Sequence, residues 1–167
     1  MAIYNLNGKD WTLSGWARHQ WNYEKTMETN AMSVPVFSNV SATVPGSVQQ
    51  DLLNNKKIDD WNIGSNFRKI EWLEHREWVY TKKFRIDQEA KKYVIHFDGL
   101  DFSGFVFLNN QKILSFFGMH LPYSVDITKN ILVGQENSLK IVFLQPPEVD
   151  GQIGYTSKVS DTSPNHS

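Results

Sequence analysis

The chain has 167 residues, a mass of 19.3 kDa, 17 Lys and Arg against 18 Asp and Glu, and no cysteine. That is room for one domain, and too little for a complete (β/α)8 barrel of about 250 residues. A net charge of −1 leaves no basic stripe for nucleic acid, no apolar run approaches the roughly 18 residues of a membrane span, and the lack of cysteine excludes a disulfide framework and thiolate chemistry. Neither nucleic acid nor a membrane is therefore expected as a partner. The doublets Lys56-Lys57, Lys82-Lys83 and Lys91-Lys92, with Arg68-Lys69, read as solvated turns or strand edges. Met1-Ala2-Ile3-Tyr4-Asn5 lacks the charged and apolar regions of a leader. A cytoplasmic location is expected, although a chain whose leader had been removed would look the same.

In chain order, the stretch from His19 to Ser38 has weak periodicity and reads as a long loop. Pro45-Gly46 then breaks the chain, Ser47 is placed to N-cap a helix, and Gln50 stands three residues later as in a capping box. Val48, Leu52 and Leu53 form its apolar face, and Asn54-Asn55 ends it. From Ile58 to Trp72 the sequence is too irregular for a strand, yet rich in Trp, Asn and Arg. The clearest strand follows: Trp78, Tyr80, Phe84 and Ile86 share one face, and Thr81, Lys83 and Arg85 the other, with Lys82 breaking the alternation. Tyr93, Ile95 and Phe97 repeat the period against Lys92, Val94 and His96.

Gly104 to Leu108 is apolar on both faces, which predicts a central strand. Asn109-Asn110 predicts a tight hairpin, because Asn tolerates positive φ. Lys112 to Leu114, Tyr123 to Thr128 and Ser138 to Leu144 supply further strands, and Pro146-Pro147 stops the last of them. Strands at this spacing without a long helix predict an all-β antiparallel sandwich or barrel with one short helix. The sandwich is expected over residues 1–156, with 157–167 as a polar, mobile tail.

Catalytic constellations are hard to assemble from this sequence. Glycoside hydrolysis needs two carboxyl groups facing one bond, but Asp98 falls on the polar face of its strand and Asp101 in a turn, and Glu71, Glu74 and Glu77 form no evident pair. Glu74-His75-Arg76-Glu77 lacks the paired-His spacing of a zinc site, and there is neither a Gly-x-Ser-x-Gly elbow nor a Gly-rich phosphate loop. No catalytic residue, metal or cofactor is expected. Asn39-Val40-Ser41 and Asn165-His166-Ser167 match the glycosylation triplet, a pattern too short to carry weight.

The loop from Ile58 to Trp72 is the stretch that plain core does not explain. Trp61 and Trp72 stand beside Asn62, Asn66 and Arg68, and aromatic planes with amides and a guanidinium suit a pyranose, whose CH face stacks while its hydroxyls need partners. Equally, both tryptophans could cap the end of the core.

The order of these stations resembles the N-terminal domain of glycoside hydrolase family 2, most closely its β-mannosidase branch. It runs through Leu6-Asn7-Gly8-Lys9-Asp10-Trp11, Thr43-Val44-Pro45-Gly46-Ser47-Val48, Asp51-Leu52-Leu53 and Ile58-Asp59-Asp60. Gly64-Ser65-Asn66, Trp78-Val79-Tyr80, Phe97-Asp98-Gly99-Leu100-Asp101, Tyr123 to Thr128 and Gly151-Gln152-Ile153-Gly154-Tyr155 continue it. The resemblance implies a galactose-binding-domain-like jelly roll packed against a catalytic barrel, with immunoglobulin-like domains beyond, in an enzyme that hydrolyses terminal β-mannosides with two barrel glutamates. It implies no catalysis by this chain alone, and a β-linked glycoside as the substrate of the whole enzyme. It also implies Asn66 as the amide that reaches a sugar hydroxyl at the barrel mouth, with Trp61 or Arg68 shaping the rim. Phe67 departs from the Glu that the family often carries there, and the Trp-Asp-Trp-Gly segment of β-mannosidases would lie past Ser167. The same domain of a β-galactosidase or β-glucuronidase, or a free-standing carbohydrate-binding module, fits these residues as well.

Overall fold

The alternation at 78–86 becomes the third strand of a six-stranded antiparallel sheet. The computed structural model describes residues 2–145 apart from 24, 30–34 and 65, with the side chains of 23, 67 and 71 excepted, and the backbone of 148–149 and 152–153. In chain order it contains β1 (Gly8–Trp16), α1 (Gln20–Tyr23), α2 (Thr26–Thr29), β2 (Phe37–Val44), α3 (Val48–Asn54) and α4 (Asn66–Lys69). A 3₁₀ turn (Glu71–His75) leads into β3 (Glu77–Arg85), β4 (Val94–Phe97), β5 (Ser103–Leu108), β6 (Gln111–Phe117), β7 (Tyr123–Asp126) and β8 (Glu136–Phe143), followed by β9 (Glu148–Val149) and β10 (Gln152–Ile153). The large sheet has the order β2-β1-β3-β8-β5-β6, β4 pairs with β7 in a second sheet, and β9 pairs with β10. The tail at 157–167 lies outside the described residues.

β5 is apolar on both faces because both are covered. Val106 and Leu108 join Trp11, Leu13, Val40, Trp78, Tyr80, Leu139 and Ile141 in the main core, which Ile95 of β4 and Leu52 of α3 close from the other side. Phe107 faces the opposite way and meets Trp16, Trp21, Met27, Val79 and Val142. Each such buried side chain contributes roughly 1.5–3 kcal/mol. Gly104 is required where β5 lies closest to β8: a Cβ there would stand 1.8 Å from the Val142 carbonyl oxygen and 2.6 Å from Phe116 Cζ. The hairpin after β5 forms as expected, with φ of 49° at Asn109 and 67° at Asn110, the two positive angles of a type I′ turn.

Two parts of the chain differ from the sequence expectation. The region from His19 to Ser38 is not one loop, because α1 and α2 fold across the second face of the large sheet as a strap. Buried Glu77 accepts from the His19 backbone N–H at 2.9 Å and from the Trp21 indole N–H. Lys140 Nζ donates to the Met27 carbonyl at 3.1 Å and to Asn110 Oδ1 at 3.2 Å, and burial holds its pKa below the ordinary lysine value. The second difference is Lys82. It faces inward from β3, buried, with Nζ on Asp10 and 5.8 Å from the centroid of the Trp11 ring, and that ammonium holds the Asp10 carboxyl below its usual range. The ion pair lets a charged residue occupy an apolar position.

α3 begins as read: Ser47 Oγ accepts from Gln50 N–H at 3.3 Å. The Gln50 amide turns to Asn54 Oδ1 at 2.9 Å, not back to the cap. Asp51 fastens α3 to the sheet, since Oδ1 accepts from Thr43 N–H at 3.0 Å and Oδ2 from the Tyr80 hydroxyl at 3.1 Å. Burial pushes the Asp51 carboxyl above its ordinary value, and the same burial, with the Asp51 charge, pushes the Tyr80 phenol up. Tyr80→Phe should therefore cost about 1 kcal/mol in urea unfolding. A carboxyl with a raised folded pKa contributes most below the unfolded value of about 3.9 and loses that contribution as pH rises through the folded value. The phenol hydrogen bond works against that rise, so the deficit of Tyr80→Phe should be larger at pH 7 than at pH 3. An equal deficit at both would disconnect the phenol from Asp51.

Candidate functional site

The segment between α3 and the 3₁₀ turn is folded by short polar bonds. Asp60 Oδ1 accepts from Asn62 N–H at 2.9 Å and from its amide at 3.1 Å. The Asp60 carbonyl accepts from Ile63 N–H at 3.3 Å and from Asn66 Nδ2 at 3.0 Å. Gly64, at φ +59°, lets the chain reverse there. The Asn66 side chain thus ties the first turn of α4 to Asp60, and Lys69 Nζ at the end of α4 stands 3.6 Å from Asp59 Oδ2. Phe67's side chain and Ser65 lie outside the described residues.

These bonds leave a cleft of about 470 Å3 between the end of α3 and α4. Leu53, Ile58 and Ile70 supply apolar wall, Trp72 an indole, Asn66 an amide, and Lys56, Lys57, Asp59 and Lys69 a charged rim. The Trp72 ring is stacked 5.3 Å from Phe37 with the planes 19° apart, and lies 6.4 Å from Trp78. Trp72 therefore closes the end of the core and lines the cleft at once. Of the residues read from the sequence, the structure brings Asn66 and Trp72 together here. Trp61 is half-buried and Arg68 exposed, and neither lines this cleft. The lysine rim was not legible: Lys56-Lys57 read as a solvated doublet, and it reaches the cleft through the reversal at Lys56, where φ is 55°.

A second concavity, about 500 Å3, lies against β1, β2 and β3 and is lined by Thr12, Ser14, Ser38, Asn39, Thr81 and Lys83 among others. It offers hydroxyls and an amide but no aromatic plane, so it is the poorer match for a sugar ring. Elsewhere the fold brings Ser124 beside His96 and Asp98, which lie 28 and 26 positions before it. Ser124 Oγ is 2.7 Å from His96 Nδ1, and His96 Nε2 is 3.3 Å from Asp98 Oδ1. Asp98 is 98% exposed, whereas the acid of a working triad is buried; here water screens the carboxylate and the three form a surface hydrogen-bond chain. Among the described residues no group of three or more His, Asp and Glu is placed to hold a metal ion, and no helix is long and apolar enough to cross a membrane.

Residues 16–160 match the family described as glycosyl hydrolase 2 galactose-binding domain-like. The chain belongs to that family. It is 38% identical over 104 residues to β-mannosidase B of Emericella nidulans, covering 60% of this chain and 12% of that protein. It is 32% identical over 108 residues to a probable β-mannosidase of Caenorhabditis elegans, covering 63% and 12%. The chain thus spans about an eighth of the length of these curated relatives. Among solved structures, the β-D-mannosidase of Dictyoglomus thermophilum superposes with a TM-score of 0.71 at 26% identity, over 87% of this chain and 16% of that one. The β-glucuronidase of Lactobacillus rhamnosus superposes at 0.60 with 17% identity, over 89% and 23%, a likeness of fold alone. The expectation of a family 2 N-terminal domain, all-β and galactose-binding-like, is borne out.

Proposed function

We propose that the chain serves as the galactose-binding-like domain of a β-mannosidase that hydrolyses terminal β-mannosides, with catalysis carried by a barrel elsewhere in the same polypeptide. The observation that carries this reading is the likeness to β-mannosidases in sequence, at 38% identity, and in structure, at a TM-score of 0.71 with 26% identity. Support also comes from the cleft, where an amide and an indole stand together inside a charged rim. In this reading Asn66 contributes to the wall facing the substrate and Trp72 holds that wall to the core, while Trp61 and Arg68 stand outside the cleft and reach a sugar only beyond its charged rim.

Assays on aryl β-mannoside, β-galactoside and β-glucuronide test the reading. The longer polypeptide should prefer the mannoside, and the 167-residue chain alone should release no aryl alcohol from any of the three. Turnover by the chain alone, abolished by changing one of its own carboxylates, would overturn it. Saturable mannose binding by the chain alone at low millimolar, followed by tryptophan fluorescence, would make it a binding module instead.

Asn66→Ala in the longer enzyme should lower kcat/KM for the mannoside by roughly three- to tenfold, the equivalent of one hydrogen bond of about 0.5–1.5 kcal/mol. Asn66 also braces the loop through Asp60, so its melting temperature should be recorded beside the kinetics. A lower melting temperature with unchanged kcat/KM would reduce Asn66 to a turn residue.

A further inference from the structure

The end of the sandwich where β5 begins and β6 ends exposes more apolar surface than the fold requires. Phe117 is 69% exposed and Met119 and Leu121 are each 49% exposed, while Phe102 rests against Phe117 with ring centroids 4.8 Å apart. Their backbone is braced. The Tyr123 hydroxyl accepts from Phe117 N–H at 3.2 Å and donates to the Phe117 carbonyl at 3.1 Å, and Gly118 N–H donates to the Phe102 carbonyl at 2.8 Å. Apolar side chains held out on a fixed loop mark a docking surface. Asp98 and Asp101, both exposed, lie on the neighbouring turn.

The path of the chain favours one occupant. Leu144 N–H donates to the Ser103 carbonyl at 2.9 Å, and Ser103 pairs with Phe117, so the polypeptide leaves β8 beside this cluster. In the curated relatives about seven-eighths of the length lies outside the match. We propose that Phe117, Met119 and Leu121 form the seat of the domain that follows the sandwich in the same polypeptide. That domain would present an apolar rim to the three side chains, with cationic groups toward Asp98 and Asp101. The inference rests on the function proposed above, since it needs a following domain, and it assigns the face that domain covers. Interfaces of this kind bury roughly 600–1,500 Å2, which a phenylalanine, a methionine and a leucine at the centre can anchor.

Methionine oxidation reads the face directly, because sulfoxide formation follows exposure. Met119 should oxidise in dilute peroxide at least tenfold more slowly in the longer polypeptide than in the 167-residue chain, with buried Met27 slow in both. Phe117→Asp should restore the fast rate at Met119 in the longer polypeptide, and leave the melting temperature of the 167-residue chain unchanged. Equal Met119 rates in the two wild-type forms, or a gene in which no domain follows the sandwich, would overturn the inference. Concentration-dependent self-association of the 167-residue chain that protects Met119 and is lost in Phe117→Asp would replace the occupant with a second copy. Hydrolysis of aryl β-mannoside is scored separately. Protection of Met119 without hydrolysis keeps the seat and removes the substrate reading, and hydrolysis without protection does the reverse.

Discussion

Glu77→Ala should lower the stability of the domain by about 3 kcal/mol or more, seen as a lower urea midpoint. The carboxylate is buried and holds two donors, the His19 backbone N–H and the Trp21 indole N–H. Each hydrogen bond to a charged group contributes about 1.5–3 kcal/mol, and losing the acceptor leaves the buried Trp21 indole N–H unpaired. The strap should loosen with it, because Trp16, Trp21 and Met27 cover Val79, Phe107 and Val142. Tryptophan fluorescence should then shift to longer wavelength before the global transition. Glu77→Gln keeps one acceptor oxygen and should lose less than Glu77→Ala. Equal losses in the two variants would mean that the carboxylate's charge, which Gln lacks, carries the stability, and neither the side chain's volume nor a single acceptor oxygen.

How far the sequence was legible follows from what each residue must satisfy. β5 reads from its two apolar faces, α3 from Ser47 as its N-cap, and the hairpin from Asn109-Asn110, because in each case local chemistry and tertiary role agree. β1 and β2 escape notice for the opposite reason. Their outward residues are Thr12, Ser38, Asn39 and Ser41, and part of the inward set is as small as Gly15 and Ala42, so the contrast between faces is weak. α1 and α2 have four residues each, about one turn, too short for a 3.6-residue period to show. Lys82 reads as an error in its strand until Asp10, 72 positions away, is brought beside it. The site divides in the same way. Asn66 and Arg68 are neighbours in sequence, but residues two apart on a helix point to different sides. Only the fold tells that the amide meets the cleft and the guanidinium does not.

Gly104→Ala should cost about 3 kcal/mol, the largest loss expected from adding a methyl group at any of the described glycines. Overpacking of a filled core costs about 1–3 kcal/mol when side chains can yield, and here the nearer obstacle is backbone: the new Cβ would fall 1.8 Å from the Val142 carbonyl oxygen. β5 and β8 would have to separate in the middle of the six-stranded sheet, where Gly104 stands opposite Phe143. The second obstacle, Phe116 Cζ at 2.6 Å, belongs to a ring packed 5.5 Å from Phe143 and 6.3 Å from Tyr123. The two obstacles can be separated by a double variant. Phe116→Leu removes the ring edge but not the carbonyl, so adding it to Gly104→Ala should recover only a minor part of the loss, a coupling readable from the four urea midpoints of the cycle. Recovery of nearly all the stability would show that β5 and β8 part easily and that the ring alone demands glycine. The same cycle bears on the proposed seat, because Gly104 lies one residue from Ser103 and its partner Phe117. Strands that part at Gly104 would carry Phe117 with them, and Met119 in the longer polypeptide should then lose its protection although no residue of the seat had been changed.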